Sequence, residues 1–377
     1  MEQLIRNSDL ADIYDKVLDG ERLDREDGVR LYESPHLASV GHMANLVRER
    51  RHGQKTFFVR NQHINYTNIC QKDCAFCSFY AKKGGPDAYV LSPEDIAEKV
   101  LRYRDERLTE IHMVGGIHPR LPYGYYTDVL RALKDARPDV HIKAWTMVEL
   151  VQIHKVSPFD TLEETLLDLK EAGLGSCPGG GAEVLSDRVH NEIFGKKLDA
   201  SEWLDIARVA HRCGLRSNAT MLYGHIETYA ERVEHMLRLR DLQDETGGFL
   251  TFIPLAMDPK GTALSHINRA SGIDDLRNIA VGRLMLDNFP HIKAFWIMIT
   301  PQVAQTSLWY GADDMDGTVL EYEITHVGVD IQDHRQSLTR AQMVDLITQA
   351  GREPVERDTL YNRVSDDGRI LAEPMAT

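Results

Sequence analysis

From Thr56 onward, short apolar runs that read as strands alternate with amphipathic stretches that read as helices, and nothing else in the chain constrains its fold so strongly. The strand candidates are TFFVRNQHINYTN, EIHMVGG, HIKAWT, a run ending in SCPGGG, SNATMLYG, GFLTFIP, HIKAFWIM and a short stretch near DGTVLE. Helical stretches lie between them at 125–136, 161–172, 201–213, 228–245, 274–288 and 301–309. A further helix opens at Ser92-Pro93-Glu94, where an N-cap, a proline at the first position and an acidic first turn coincide. Eight alternations are the pattern of parallel strands joined by right-handed crossovers. They predict an α/β fold of the (β/α)8 TIM-barrel type. A doubly wound open sheet is the alternative, and it gives no reason for so many polar groups at strand ends.

The flanks are helical. LADIYDKVLDG and PHLASVGHMANLVRERRHG space apolar residues three and four apart, with Gly53 closing the second stretch. The expected organisation is a helical N-terminal extension over 1–55, a barrel core over 56–320, a C-terminal segment over 321–364 packed on the barrel, and a mobile tail over 365–377. The C-terminal segment holds the helix LTRAQMVDLITQAG followed by REPVERDTLYNRV. Against 44 Lys and Arg stand 58 Asp and Glu, a net charge of −14, which argues against a nucleic-acid partner. RERRHGQK at 48–55 is the one dense basic run and reads as a solvated helix end. No run approaches the roughly 18 to 20 apolar residues of a membrane span, and the charged N-terminus is not a signal peptide. A cytoplasmic protein without a membrane partner is the expectation.

Five cysteines, three of them crowded together, point to a reducing compartment and to metal ligation rather than disulfides. Cys70, Cys74 and Cys77 stand as C-x3-C-x2-C, and no fourth cysteine lies nearby. Two readings fit. One is a structural Cys3His zinc site completed by a histidine such as His63. The other is a 4Fe-4S cluster held by three thiolates, with one iron open to a ligand that is not protein. The spacing, with Phe76 just before the last cysteine, resembles the signature of radical SAM enzymes, which implies the cluster with S-adenosylmethionine (SAM) on the open iron. Cys177 and Cys213 read as buried packing residues.

In a barrel the active site forms at the C-terminal strand ends. Asn61, His63, Asn65 and Thr67 share the face of the first strand expected to point inward. Gly115 and Gly116 end the second strand, and the resemblance implies that such a pair holds the methionyl amino group of SAM. Further strand ends supply Thr146 and Glu149, then Ser176 with the loop Pro178 to Glu183, then Tyr223, His225 and Glu227. Phe76, Gly115, Gly116, Thr146, Glu149, Ser176 and Glu183 are therefore the candidates to contact SAM. His225 is a candidate general acid or base. His63 and Lys143 are inward-facing candidates to orient an anionic substrate; Lys143 is expensive to bury unless it meets a negative charge.

A narrower resemblance covers residues 60 to 361. NYTNICQKDCAFCSFY, SCPGGGAEV, SNATMLYGHIET, LRDLQDETGGF, FIPLA, RLMLDNFPHIKAFW, GADDMDGTV and GREPVERDTLY are similar to the aminofutalosine synthase family of the futalosine route to menaquinone. Two relatives share the layout, dehypoxanthine futalosine cyclase and the FO synthase subunits. The resemblance implies that an electron donor such as flavodoxin or ferredoxin reduces the cluster and that SAM is cleaved. The 5′-deoxyadenosyl radical then adds to the vinyl carbon of 3-[(1-carboxyvinyl)oxy]benzoate, and the adduct rearranges and loses a carboxylate to give 6-amino-6-deoxyfutalosine. Cys177 is a departure, standing where related sequences carry an apolar residue before PGGG.

Overall fold

In the computed structural model, residues 1–194, 198–322, 324 and 337–371 are described. Four helices open the chain, α1 (Glu2–Arg6), α2 (Ala11–Asp19), α3 (Arg25–Glu33) and α4 (Leu37–His52). The expected first strand then breaks at Arg60 into β1 (Lys55–Val59) and β2 (Asn61–Ile64). Two bonds explain the break. The Arg60 side chain turns out to Glu356 at 2.6 Å, while its carbonyl accepts the backbone N–H of Thr109. The chain therefore changes neighbours within one residue.

Seven parallel strands follow one another around a curled sheet in chain order: β2, β3 (Glu110–Met113), β4 (His141–Ala144), β5 (Ser176–Cys177), β6 (Arg216–Tyr223), β7 (Phe249–Ala256) and β8 (His291–Ile292). The ring is completed by β9 (Asp314–Gly317), which bridges Lys293 on one side, pairs in parallel with β1 on the other, and continues to a bridge between Leu320 and Gln62. The architecture is the expected (β/α)8 barrel. Register sets the lining, because Asn61 faces Glu110, His63 faces His112 and His112 faces Lys143.

The helices between strands begin where the sequence places hydroxyl or acidic caps. Ser92, Thr146, Thr161, Asp199, Thr228 and Ser271 each close a reciprocal capping box with the residue three positions on. Each such box satisfies donors that the first helical turn leaves open, a contribution of about 1 kcal/mol. Two expectations need correction. Residues 147–156 form a helix immediately after β4. HIKAFWIM is a strand only through Ile292, and Trp296–Ile299 turns helical.

The C-terminal part differs more. The helix Arg340–Gln349 forms as expected, but REPVERDTLYNRV supplies β10 (Glu353–Arg357), which pairs in parallel with β1 along its whole length. This strand fills the gap that opens beside β1 where β2 leaves to join β3. Its Arg357 is buried and holds Asp314 at 2.6 Å. Within the expected tail, β12 (Ile370–Leu371) pairs antiparallel with β11 (Arg363–Val364). Residues 323, 325–336 and 372–377 lie outside the described residues.

The N-terminal helices cover the outer side and the base. Arg277 donates to the carbonyls of Leu31 and Ser34, and the Tyr32 hydroxyl donates to Asn278 at 2.8 Å. At the end of α4, His52 stacks on His291 beneath the barrel, where Asp313 also receives Arg283. No helix is long and apolar enough to cross a membrane among the described residues.

Candidate active site

The three-cysteine loop leaves β2 at the C-terminal end of the barrel and is pinned by backbone bonds. Cys70 N–H donates to Ala81, Ala75 N–H to Ile193, and the Ala75 carbonyl accepts Ala263 N–H. The Cys70 sulfur accepts the backbone N–H groups of Lys72 at 3.4 Å and Ile117 at 3.3 Å. Such N–H···S bonds stabilise a thiolate and tune a cluster held by it. Phe76 packs edge-on to Phe194 with centroids 5.2 Å apart.

All three cysteines line a cavity of about 340 Å³ that runs from the loop into the barrel. Among the described residues the trio of ligating groups with donor atoms all within 4.8 Å is His52, His291 and Asp313, and the three cysteine sulfurs do not form such a trio. His63, the histidine named for a zinc site, sits inside the barrel stacked on His112.

Gly115 and Gly116 are required by the approach of the loop itself. A Cβ on Gly116 would lie 2.4 Å from the Ile69 carbonyl oxygen, and one on Gly115 would lie 2.7 Å from the Tyr66 ring. The pair lines the cavity with its other side. Gly115 N–H donates to Glu149 Oε1, which also accepts the Tyr66 hydroxyl, both at 3.0 Å, while Oε2 accepts the backbone N–H and hydroxyl of Thr146. Burial pushes the Glu149 carboxyl up to about 7 against the pull of those four donors. Thr146 and Glu149 thus fasten three strand ends to one another.

Across the cavity, Gly179 packs against β6, where a Cβ would lie 2.5 Å from the Asn218 carbonyl oxygen, and its own carbonyl accepts the Thr220 hydroxyl. Glu183 is buried, lines the cavity and holds φ +48°, a left-handed conformation that a non-glycine residue adopts at a cost of about 1 kcal/mol or more. Its carbonyl accepts Leu222 N–H, which anchors this turn to β6.

The floor of the cavity is polar. His63 and His112 stack with centroids 4.5 Å apart and planes within 2°. Lys293 holds Asp316 at 2.5 Å beside them, and Phe295 and Tyr322 supply aromatic wall. One layer down, Lys143 meets Glu110 at 2.6 Å, and Thr359 of the C-terminal segment donates to the same carboxylate. Burial alone would raise Glu110, but the ammonium groups of Lys143 and Lys293 hold it well below the ordinary range. Burial pushes His63 down to about 4 and His112 well below its ordinary value.

Three expected site residues lie elsewhere. His225 is buried away from the cavity, with Nε2 at 3.0 Å from the Leu222 carbonyl and Nδ1 at 2.9 Å from Glu227. Ser176 is buried against His141 at 2.8 Å and does not line the cavity, because β5 ends one residue later and the chain turns at Pro178. Lys143 faces inward as expected, but its charge is taken by Glu110. Phe76, Gly115, Gly116, Thr146, Glu149 and Glu183 all line the cavity with the cysteines. Sequence reasoning missed His112, Lys293 and Asp316. A signal existed, since HIKA recurs at 141–144 and 291–294, which places one lysine in β4 and the other directly after β8.

A barrel with an open three-cysteine loop on its first strand defines a radical SAM enzyme. The model of the Radical SAM superfamily matches residues 64–239, and that of the CofH/MqnC C-terminal region matches 246–368. The chain is 47% identical to an aminodeoxyfutalosine synthase of Thermus thermophilus over 98% of this chain and 99% of that one. It is 45% identical to an aminodeoxyfutalosine synthase of Streptomyces coelicolor, covering 92% of each. A cyclic dehypoxanthine futalosine synthase of Halalkalibacterium halodurans is 36% identical over 93% of each chain. In fold the chain is similar to the methylornithine synthase PylB, with a TM-score of 0.71 and 18% identity over 90% of this chain and 96% of that one. Within the radical SAM superfamily the chain belongs to the aminodeoxyfutalosine synthase family. It is a radical SAM transferase of the futalosine pathway acting on a small molecule.

Proposed function

We propose that the substrate is 3-[(1-carboxyvinyl)oxy]benzoate and the product 6-amino-6-deoxyfutalosine, with Cys70, Cys74 and Cys77 holding a 4Fe-4S cluster. When bound, the cluster and SAM supply the 5′-deoxyadenosyl radical. The observation that carries the reading is one continuous cavity with three thiols at its mouth and a polar floor flanked by aromatic side chains. The donor set fits the cluster, with three thiols of one loop on the cavity and a Cys70 sulfur already accepting two N–H groups.

The residues of the chain have separate tasks. Gly115, Gly116, Thr146, Glu149 and Glu183 form the walls nearest the loop, where SAM would lie. Phe295, Met298 and Tyr322 form another part of the wall, a suitable surface for a benzene ring. The enclosing barrel keeps water and stray hydrogen donors from a reactive radical. An electron donor such as flavodoxin or ferredoxin is the proposed source of the reducing electron, and the cytoplasm the proposed compartment.

The test is turnover by anaerobically reconstituted protein given reductant, SAM and the enolpyruvyl benzoate. Aminofutalosine detected by mass spectrometry is the expected result. Turnover of dehypoxanthine futalosine alone would assign the cyclase reaction instead.

A further inference from the structure

The cavity floor holds a histidine whose tautomer is fixed by its neighbours. Asn61 Oδ1 accepts the backbone N–H of Val319 at 2.9 Å, so its Nδ2 is the donor end, aimed at Glu110 Oε1 and at His63 Nε2, each 3.4 Å away. A donor facing Nε2 makes that nitrogen an acceptor, and the proton of the neutral ring must then sit on Nδ1. The ring is neutral because burial holds it far below its ordinary range. No described residue accepts that Nδ1 proton, and His63 lines the cavity. The stack on His112 and the edge contact with Tyr322 fix the plane of the ring.

Lys293 stands on the same floor, buried; among the described residues its ammonium donates to Asp316 and has two further N–H groups. The fixed charges around the floor cancel in pairs, Glu110 with Lys143, Asp316 with Lys293 and Asp314 with Arg357. What the floor offers a ligand is therefore oriented N–H groups rather than surplus charge. Oriented donors suit a carboxylate, which accepts several hydrogen bonds in its plane.

We infer that His63 Nδ1–H and Lys293 Nζ together form the binding site for the ring carboxylate of the substrate, at the end of the cavity opposite the cysteine loop. The assignment rests on the substrate reading given above. Its direction follows from the chemistry, because the vinyl carbon must reach SAM near the loop, which leaves the ring carboxylate to point at the floor. His63 is a binding residue in this assignment, and Asn61 acts through it as a positioning residue.

Calorimetric binding to the anaerobic holoenzyme with SAM and without reductant tests this with two ligands, 3-[(1-carboxyvinyl)oxy]benzoate and 2-phenoxyacrylate, which lacks the ring carboxylate. Wild type should prefer the first by roughly tenfold to a hundredfold, the worth of charge-assisted hydrogen bonds. His63→Gln should bind both at the level of the second, while His63→Asn, which keeps an amide group near the Nδ1 position, should retain part of the preference. The charge-neutral Lys293→Met/Asp316→Asn variant should also lose preference, and it carries the comparison if His63→Gln fails to fold. His63→Gln that binds the benzoate like wild type, or that weakens both ligands by one factor, overturns the assignment. Wild type that binds both ligands equally overturns it and leaves the substrate reading standing; wild type that binds neither removes that reading as well.

Discussion

Single atoms decide how the cysteine loop sits. Gly116 has an ordinary negative φ, so the case for glycine there is purely steric, an added Cβ meeting the Ile69 carbonyl oxygen at 2.4 Å. Gly116→Ala should therefore push the loop off the strand end, with a loss of about 1 to 3 kcal/mol in stability and a fall in bound iron. Gly124 is the control, because nothing lies within 4 Å of its Cβ position and it sits in the helix Tyr123–Ala136, so Gly124→Ala should be neutral or stabilising by up to about 1 kcal/mol. Thermal unfolding and iron analysis on both variants check the pair. Cys70→Ala, Cys74→Ala and Cys77→Ala should each abolish 5′-deoxyadenosine formation with the fold retained. Cys177→Ser and Cys213→Ser should leave iron content unchanged, since both thiols are buried away from the cavity, and burial pushes Cys177 up to about 12.

Among elements, β10 does the most that its length would not suggest. Five residues from the far end of the chain extend the strand layer beside β1, and Arg357 carries a guanidinium into the barrel to meet Asp314. Asp314 in turn accepts the backbone N–H of Asp316, the partner of Lys293 on the cavity floor. Arg357→Met would leave the Asp314 carboxylate buried without its partner and should lower stability by about 3 to 5 kcal/mol. Arg357→Met/Asp314→Asn removes both charges and keeps the acceptor for Asp316, so most of that loss should return. Urea unfolding of the single and double variants measures the difference. Equal losses in both would place the effect in packing rather than charge.

The whole molecule should be acid-labile above the carboxylate range. Burial pushes His52, His63, His141 and His211 down to about 4 and His235 to about 3. The unfolded chain protonates these rings near pH 6.5, whereas the folded chain does not until near pH 4. Between those limits the unfolded state binds more protons, so stability rises with pH through the window and is lost as pH falls. Each ring can contribute up to about 3 kcal/mol to that slope. The urea midpoint should be flat above pH 7 and drop steeply from about pH 6.5 downward. A midpoint that holds to pH 5 would mean that the buried rings are already charged in the fold.

The sequence by itself determined the barrel and the gathering of three thiols in one loop, because both depend on local pattern. Alternating strand and helix periods leave few topologies, capping residues such as Ser92 and Thr146 fix where helices start, and C-x3-C-x2-C confines three thiolates to one loop. Parity along the first strand also placed Asn61 and His63 inside. Which polar groups meet was decided only by tertiary structure. Lys143 and Lys293 occupy the same HIKA sequence, yet one faces Glu110 a layer below the floor and the other faces Asp316 on it. His225 has the composition of a catalytic residue but turns to Leu222 and Glu227. The break at Arg60 depends on Glu356, nearly three hundred residues away. Such pairings are set by barrel closure and by the identity of the partner across it, and neither is carried by the residues immediately before and after.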